Sequence, residues 1–120
     1  MNYLQYRQFT KNSKYHAKKV NVDGIVYDSK KEAKRACVLE QQAKYGLITD
    51  LQRQVVFELQ PGYVNNQGKK IRPITYIADF TYKQEGKQIV EDVKGYKTKE
   101  YALKKKLFEY KYPEYMFVES

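Results

Sequence analysis

The chain has 120 residues, with 23 Lys+Arg against 14 Asp+Glu and a formal net charge of +9. That length suits one domain, and a hydrophobic share of 42% excludes a wholly disordered chain. A single Cys and a single His exclude an internal disulfide framework and argue against a Cys/His zinc site.

No stretch approaches the ~20 apolar residues of a membrane helix. The basic amino-terminal stretch has no apolar run, so neither a secretory signal nor a membrane location is expected, and the chain reads as cytoplasmic. Its positive charge calls for a polyanionic partner, and on charge alone nucleic acid and an anionic membrane fit equally. The 13 Tyr tilt the balance towards nucleic acid, because aromatics stack on bases, although Tyr also packs well in sheets.

Residues 1–19 carry Arg7, Lys11, Lys14, Lys18 and Lys19 with no acid and no sustained period. They read as a flexible basic arm, or as simple terminal disorder, ahead of one domain over 20–120. Order is predicted from Val20, where β-rich segments flank Asp23-Gly24, a strong hairpin signal. Ser29 then suits a helix N-cap with Glu32 at N3, the spacing of a capping box, and Gly46 suits the helix end after Tyr45.

Leu51 to Leu59 reads as a strand with Val55, Phe57 and Leu59 on one face, followed by a polar loop that includes Pro61-Gly62 and Asn65–Lys70. Strands over Ile74–Tyr82 and Gln88–Lys94 should form an antiparallel hairpin across Gln84–Lys87. Thr98 caps a second helix with Leu103, Leu107 and Tyr110 on one face; Pro113 stops it, and Tyr115–Val118 is a last short strand. After the first hairpin the order is α-β-β-β-α-β. No repeat interrupts it.

The third core strand reads Ile89-Val90-Glu91-Asp92-Val93-Lys94-Gly95, with Asp92 and Lys94 on one face and Glu91 on the other. By itself this reads better as a solvent-facing charge pair than as a site. A two-residue turn or a four-residue loop in the hairpin sets Asp79 across from Asp92, while a three-residue loop would spoil the opposition. Two opposed carboxylates repel, and a hard divalent cation such as Mg²⁺ would offset that repulsion while also taking phosphate oxygens. Glu32, Ala36, Leu39 and Ala43 share one helix face, so Glu32 starts an inward stripe as well as fitting the capping box. Three acids and a lysine at one end of a small sheet, in a basic protein, suit metal-assisted phosphodiester hydrolysis.

In order and spacing these residues resemble the PD-(D/E)XK nuclease superfamily, whose core has the order α-β-β-β-α-β. That family takes one acid from the second core strand and an acid-x-Lys motif from the third. Branches that include phage junction-cutting endonucleases and a transposase end-cleaving subunit add an acid from the first helix. Here Asp79, Asp92-Val93-Lys94 and Glu32 occupy those positions. With Tyr27–Ala33 and Tyr76–Phe80, they look closest to a small phage-encoded family of resolvase-like proteins.

The resemblance implies an α/β, restriction-endonuclease-like core, a mixed sheet flanked by helices behind a short N-terminal β-hairpin. It implies a Mg²⁺-dependent DNA endonuclease, with Mn²⁺ able to substitute, in phage recombination or replication on branched or junction DNA in the bacterial host cell. Glu32, Asp79 and Asp92 would be metal ligands and Lys94 would position or activate water. Glu91 is the rival to Asp92, strand phase favouring Asp92. A homodimer is expected, with no small-molecule cofactor and no membrane partner.

Lys18, Lys19, Lys30, Lys97, Lys104 and Lys105 are candidate phosphate contacts, each weighed against a merely solvated lysine. Gln54 sits where related nucleases sometimes carry a polar residue, and no role is assigned to it. His16 reads as incidental, and Cys37 reads as near the helix's buried face. The alternative function is a non-catalytic nucleic-acid-binding module on the same fold, which would have no use for opposed acids. A third is a structural or assembly protein without salt-sensitive DNA affinity.

Overall fold

The computed structural model describes residues 19–93 and 97–120. The elements run β1 (Val20–Val22), β2 (Ile25–Tyr27), α1 (Lys30–Lys44), β3 (Thr49–Gln60), β4 (Tyr63–Val64), β5 (Lys70–Ile71), β6 (Ile74–Gln84), β7 (Lys87–Asp92), α2 (Lys99–Lys111) and β8 (Tyr115–Glu119). This is an α/β fold with a mixed sheet and two helices among the described residues. The main sheet has the order β3-β6-β7-β8. Its first two pairings are antiparallel and β7–β8 is parallel, the pairing that needs α2 as a crossover.

Local chemistry sets the ends of these elements. Asp23 and Gly24 (φ 52° and 83°), like Glu85 and Gly86 (φ 51° and 78°), make two-residue turns with both central residues left-handed. That geometry matches the strand twist, and the second turn fixes the β6–β7 register. Ser29 and Thr98 each cap a helix, accepting hydrogen bonds from the backbone N–H of Glu32 (3.1 Å) and Tyr101 (3.0 Å).

Two apolar clusters cover the two faces of the sheet. Ala33, Ala36 and Leu39 of α1 pack with Phe80, Tyr82 and Ile89, while Tyr101 and Phe108 of α2 pack with Phe57, Tyr76, Ala78 and Val90. Ile89 and Val90 are consecutive, so at β7 the helices lie on opposite faces. Along β6 the even-numbered side chains change helix, from α2 at Tyr76 and Ala78 to α1 at Phe80 and Tyr82. The change falls at Asp79. The facing residue on β3 is Gln54, between the pairs Arg53–Phe80 and Val55–Ala78, and its φ of 52° lies in the left-handed region. Strand alternation breaks where the candidate acid sits.

The polar stretch 65–69 forms a turn, as expected, with the Asn65 side chain accepting from the N–H groups of Gln67 and Lys69 (both 3.0 Å), and the short antiparallel pair β4–β5 flanks it. One expectation needs correction. Cys37 is exposed rather than near the buried face, because Ala33, Ala36 and Leu39 fill that stripe. On α2 it is Tyr101 and Phe108 that turn inward, joining edge-to-face stacks such as Phe57–Phe108 at 4.9 Å, and the Leu103–Leu107–Tyr110 face points to solvent. No helix among the described residues is long and apolar enough to cross a membrane.

Candidate functional site

The β6–β7 hairpin has the register needed to oppose the two aspartates. Gln84 pairs with Lys87 and Phe80 with Glu91, where the ladder ends, and Asp79 and Asp92 are the next residues beyond that last pair on their strands. Half-buried Asp79 accepts a 2.7 Å hydrogen bond from the backbone N–H of Val93, the residue after Asp92. Asp92 is 1% exposed and accepts a short hydrogen bond from the Tyr76 hydroxyl. Burial, the bond to Asp92 and the charges of both aspartates push the Tyr76 hydroxyl pKa well above its ordinary value. Tyr101 is raised as well, by burial, by its bond to Glu119 and by the same two aspartates. Two carboxylates and two protonated phenols thus share one corner of the sheet, on the α2 side.

Glu32 is buried in the first turn of α1 and makes a different set of contacts. Its Oε1 accepts from Gln54 Nε2 at 3.0 Å and lies 3.6 Å from Arg53 Nη2. Burial, then the nearby charge of Asp28, raises its pKa, against the Gln54 amide, Arg53 and the Asp28 backbone, which favour the ionised form. Of the capping box, the half from the Ser29 hydroxyl is present, accepting from the Glu32 N–H, while the Glu32 carboxylate turns to Gln54 on the sheet, as the inward reading expects.

Among the described residues, no three or more His, Cys, Asp or Glu side chains gather closely enough to hold a metal ion. The structure brings Asp79 and Asp92 together. It leaves Glu32 bonded to Gln54, the residue facing Asp79 in the β3–β6 ladder.

Glu91 has a separate task. Fully buried on the α1 face, it accepts from Arg35 Nε (2.5 Å) and Nη2 (3.0 Å), from the Tyr82 hydroxyl (2.6 Å) and from the Ser120 hydroxyl (2.8 Å). Burial alone would raise its pKa, but these four bonds outweigh burial and hold the carboxyl below its ordinary value. Tyr82 rises to about 12, through burial and then the bond to Glu91.

Of the candidate lysines, Lys19 is exposed and Lys30 is half-buried at the start of α1. Lys97 and Lys105 both reach Glu119 Oε1, at 3.3 and 3.2 Å, and Lys104 pairs with Glu100 one turn away at 3.2 Å. Lys18 and Lys94 lie outside the described residues, as does His16. Gln54, Tyr76, Tyr101 and Glu119 join the neighbourhood without having been singled out as site residues. A polar Gln on a strand, where related nucleases sometimes carry one, is the signal for the first; Tyr76 enters the sequence reading only within the run Tyr76–Phe80, and nothing in the sequence marks Tyr101 or Glu119.

The chain belongs to the family described as protein of unknown function DUF1064, whose model matches residues 12–118. No curated protein and no solved structure matches it.

Proposed function

We propose that this chain is a metal-dependent DNA endonuclease of the PD-(D/E)XK type, built on a restriction-endonuclease-like αβββαβ core. The observation that carries this reading is the approach of Asp79 and Asp92, each next to the last pair of the β6–β7 ladder, with Asp79 bound at 2.7 Å by the backbone N–H of Val93 beside Asp92. Neighbouring carboxylates, one buried and one half-buried, cost a sheet stability through desolvation and mutual repulsion, so they mark a site that uses them. In a +9 chain the natural counterpart is the phosphate backbone.

Their oxygens suit Mg²⁺, or Mn²⁺ in its place, since Mg²⁺ takes one or two carboxylates and completes its shell with water and phosphate oxygens. When bound, such an ion supplies Lewis acidity and a more acidic water. The chain's own residues do the positioning. Tyr76 fixes the Asp92 carboxylate by hydrogen bond, Val93 N–H fixes that of Asp79, and Gln54 holds Glu32. Lys94, two residues beyond Asp92, is the candidate to orient the attacking water. Branched DNA as substrate, a homodimer as the cutting unit and a phage recombination or replication role complete the proposal, on the resemblance alone.

The test is incubation of the purified protein with a labelled four-way junction and a matched linear duplex, in Mg²⁺, Mn²⁺ or EDTA. Cleavage in either metal and none in EDTA is the expected result, and the ratio between substrates reads branch selectivity. Salt-sensitive binding without cleavage in either metal would replace the proposal with a binding module.

A further inference from the structure

One carboxylate on the surface gathers an unusual set of donors. Glu119, near the end of β8, receives three donors: the Tyr101 hydroxyl at 2.6 Å, Lys105 Nζ at 3.2 Å and Lys97 Nζ at 3.3 Å. Tyr101 leads these in pulling its carboxyl down to about 2, and the two lysines add to it. The donors are pre-positioned. Tyr101 is held in the first turn of α2 by the Thr98 cap, its ring lies against Phe117, and Lys105 passes over the same ring.

The location matters as much as the geometry. Glu119 pairs in register with Asp92 on the adjacent parallel strand, roughly 4.8 Å away in the ladder direction. Tyr101 is within electrostatic reach of both Asp79 and Asp92. Two ammonium groups and a phenol O–H around one carboxylate are also the donors that a phosphate takes, and Lys97 remains largely exposed.

We propose that Lys97, Lys105 and Tyr101 form a phosphate subsite that Glu119 occupies in the free protein, and that a backbone phosphate neighbouring the cleaved one displaces it. Glu119 then acts as a built-in competitor. It keeps the lysines ordered and lowers affinity for any anion too weak to replace it. The inference rests on the nuclease reading for the identity of the anion, and on the three contacts for the site.

The test is binding of a fluorescent DNA duplex in EDTA, where no cleavage intervenes, at several salt concentrations. Glu119→Gln should tighten binding roughly fivefold, and the double variant Lys97→Gln/Lys105→Gln should weaken it roughly tenfold. Adding Glu119→Gln to the double variant should change little, and Glu114→Gln, which removes an exposed acid elsewhere, controls for net charge. A gain equal to that of Glu114→Gln, or one that persists without the lysines, overturns the subsite. Should Glu119→Gln not fold, the lysine variant decides alone, and unchanged affinity overturns the inference. If wild type cleaves DNA while Glu119→Gln binds like wild type, the subsite fails and the nuclease stands. The full binding pattern without cleavage leaves the subsite and removes the nuclease. No binding by wild type removes both.

Discussion

Arg35 on α1 grips Glu91 on β7 with two nitrogens, at 2.5 and 3.0 Å, across 56 residues of sequence. That contact separates two neighbouring acids on one strand. Glu91 is spent on fastening α1 and, through Ser120, the end of the chain to the sheet, which leaves Asp92 on the opposite face beside Asp79. The ion pair is therefore a frame, and the aspartates are what it frames.

Removing one partner of a buried pair strands the other. Arg35→Ala should destabilise the protein by roughly 3 kcal/mol, read by chemical denaturation, because Glu91 is left buried with only hydroxyl donors. A loss under about 1 kcal/mol would mean the pair is solvated in solution.

The pH dependence follows from the same carboxylate. The pKa of Glu91 is lowered in the fold, so its stabilisation is fully present above the ordinary carboxylate range and is lost as pH falls through the folded value. Glu91→Gln should flatten the acid side of the stability curve. An unchanged acid limb would contradict the assignment.

Glu32 should behave in the opposite sense. Its pKa is raised by burial, so its favourable contribution belongs to low pH and disappears as pH rises through that value. Glu32→Gln, which keeps an acceptor for the Gln54 amide, should match or exceed wild-type stability near pH 7 while cleaving more slowly. Lower melting temperature together with undiminished cleavage would make Glu32 structural only.

Gln54 connects that acid to the strand facing Asp79. Gln54→Leu should leave the fold intact and slow cleavage roughly 10- to 100-fold, the scale of a small misplacement of catalytic groups. Circular dichroism alongside initial rates separates loss of positioning from loss of fold.

The hairpin that aligns the aspartates depends on its turn. Gly86 has a φ of 78°, so Gly86→Ala should cost about 1 kcal/mol although nothing crowds an added methyl group there. Thermal melts read it directly.

Much of this is legible in the sequence, because turn and cap chemistry is local. Glu85-Gly86 set a register in which Phe80 meets Glu91, and strand phase placed Glu91 and Asp92 on opposite faces. Two-residue strands such as Tyr63–Val64 have no period to read. The Arg35–Glu91 pair and the Tyr76–Asp92 bond join residues far apart in sequence, and the left-handed Gln54 carries none of the usual glycine signal. What stayed hidden was long-range or strained. Those contacts decide which acid serves which purpose.

The most direct measurement is DNA cleavage in Mg²⁺ by Asp92→Asn beside Glu91→Gln, both assayed below their melting temperatures. The account predicts that Asp92→Asn folds and is inactive, while Glu91→Gln is less stable yet cleaves where it is folded. An active Asp92→Asn, or a stable and inactive Glu91→Gln, would contradict it.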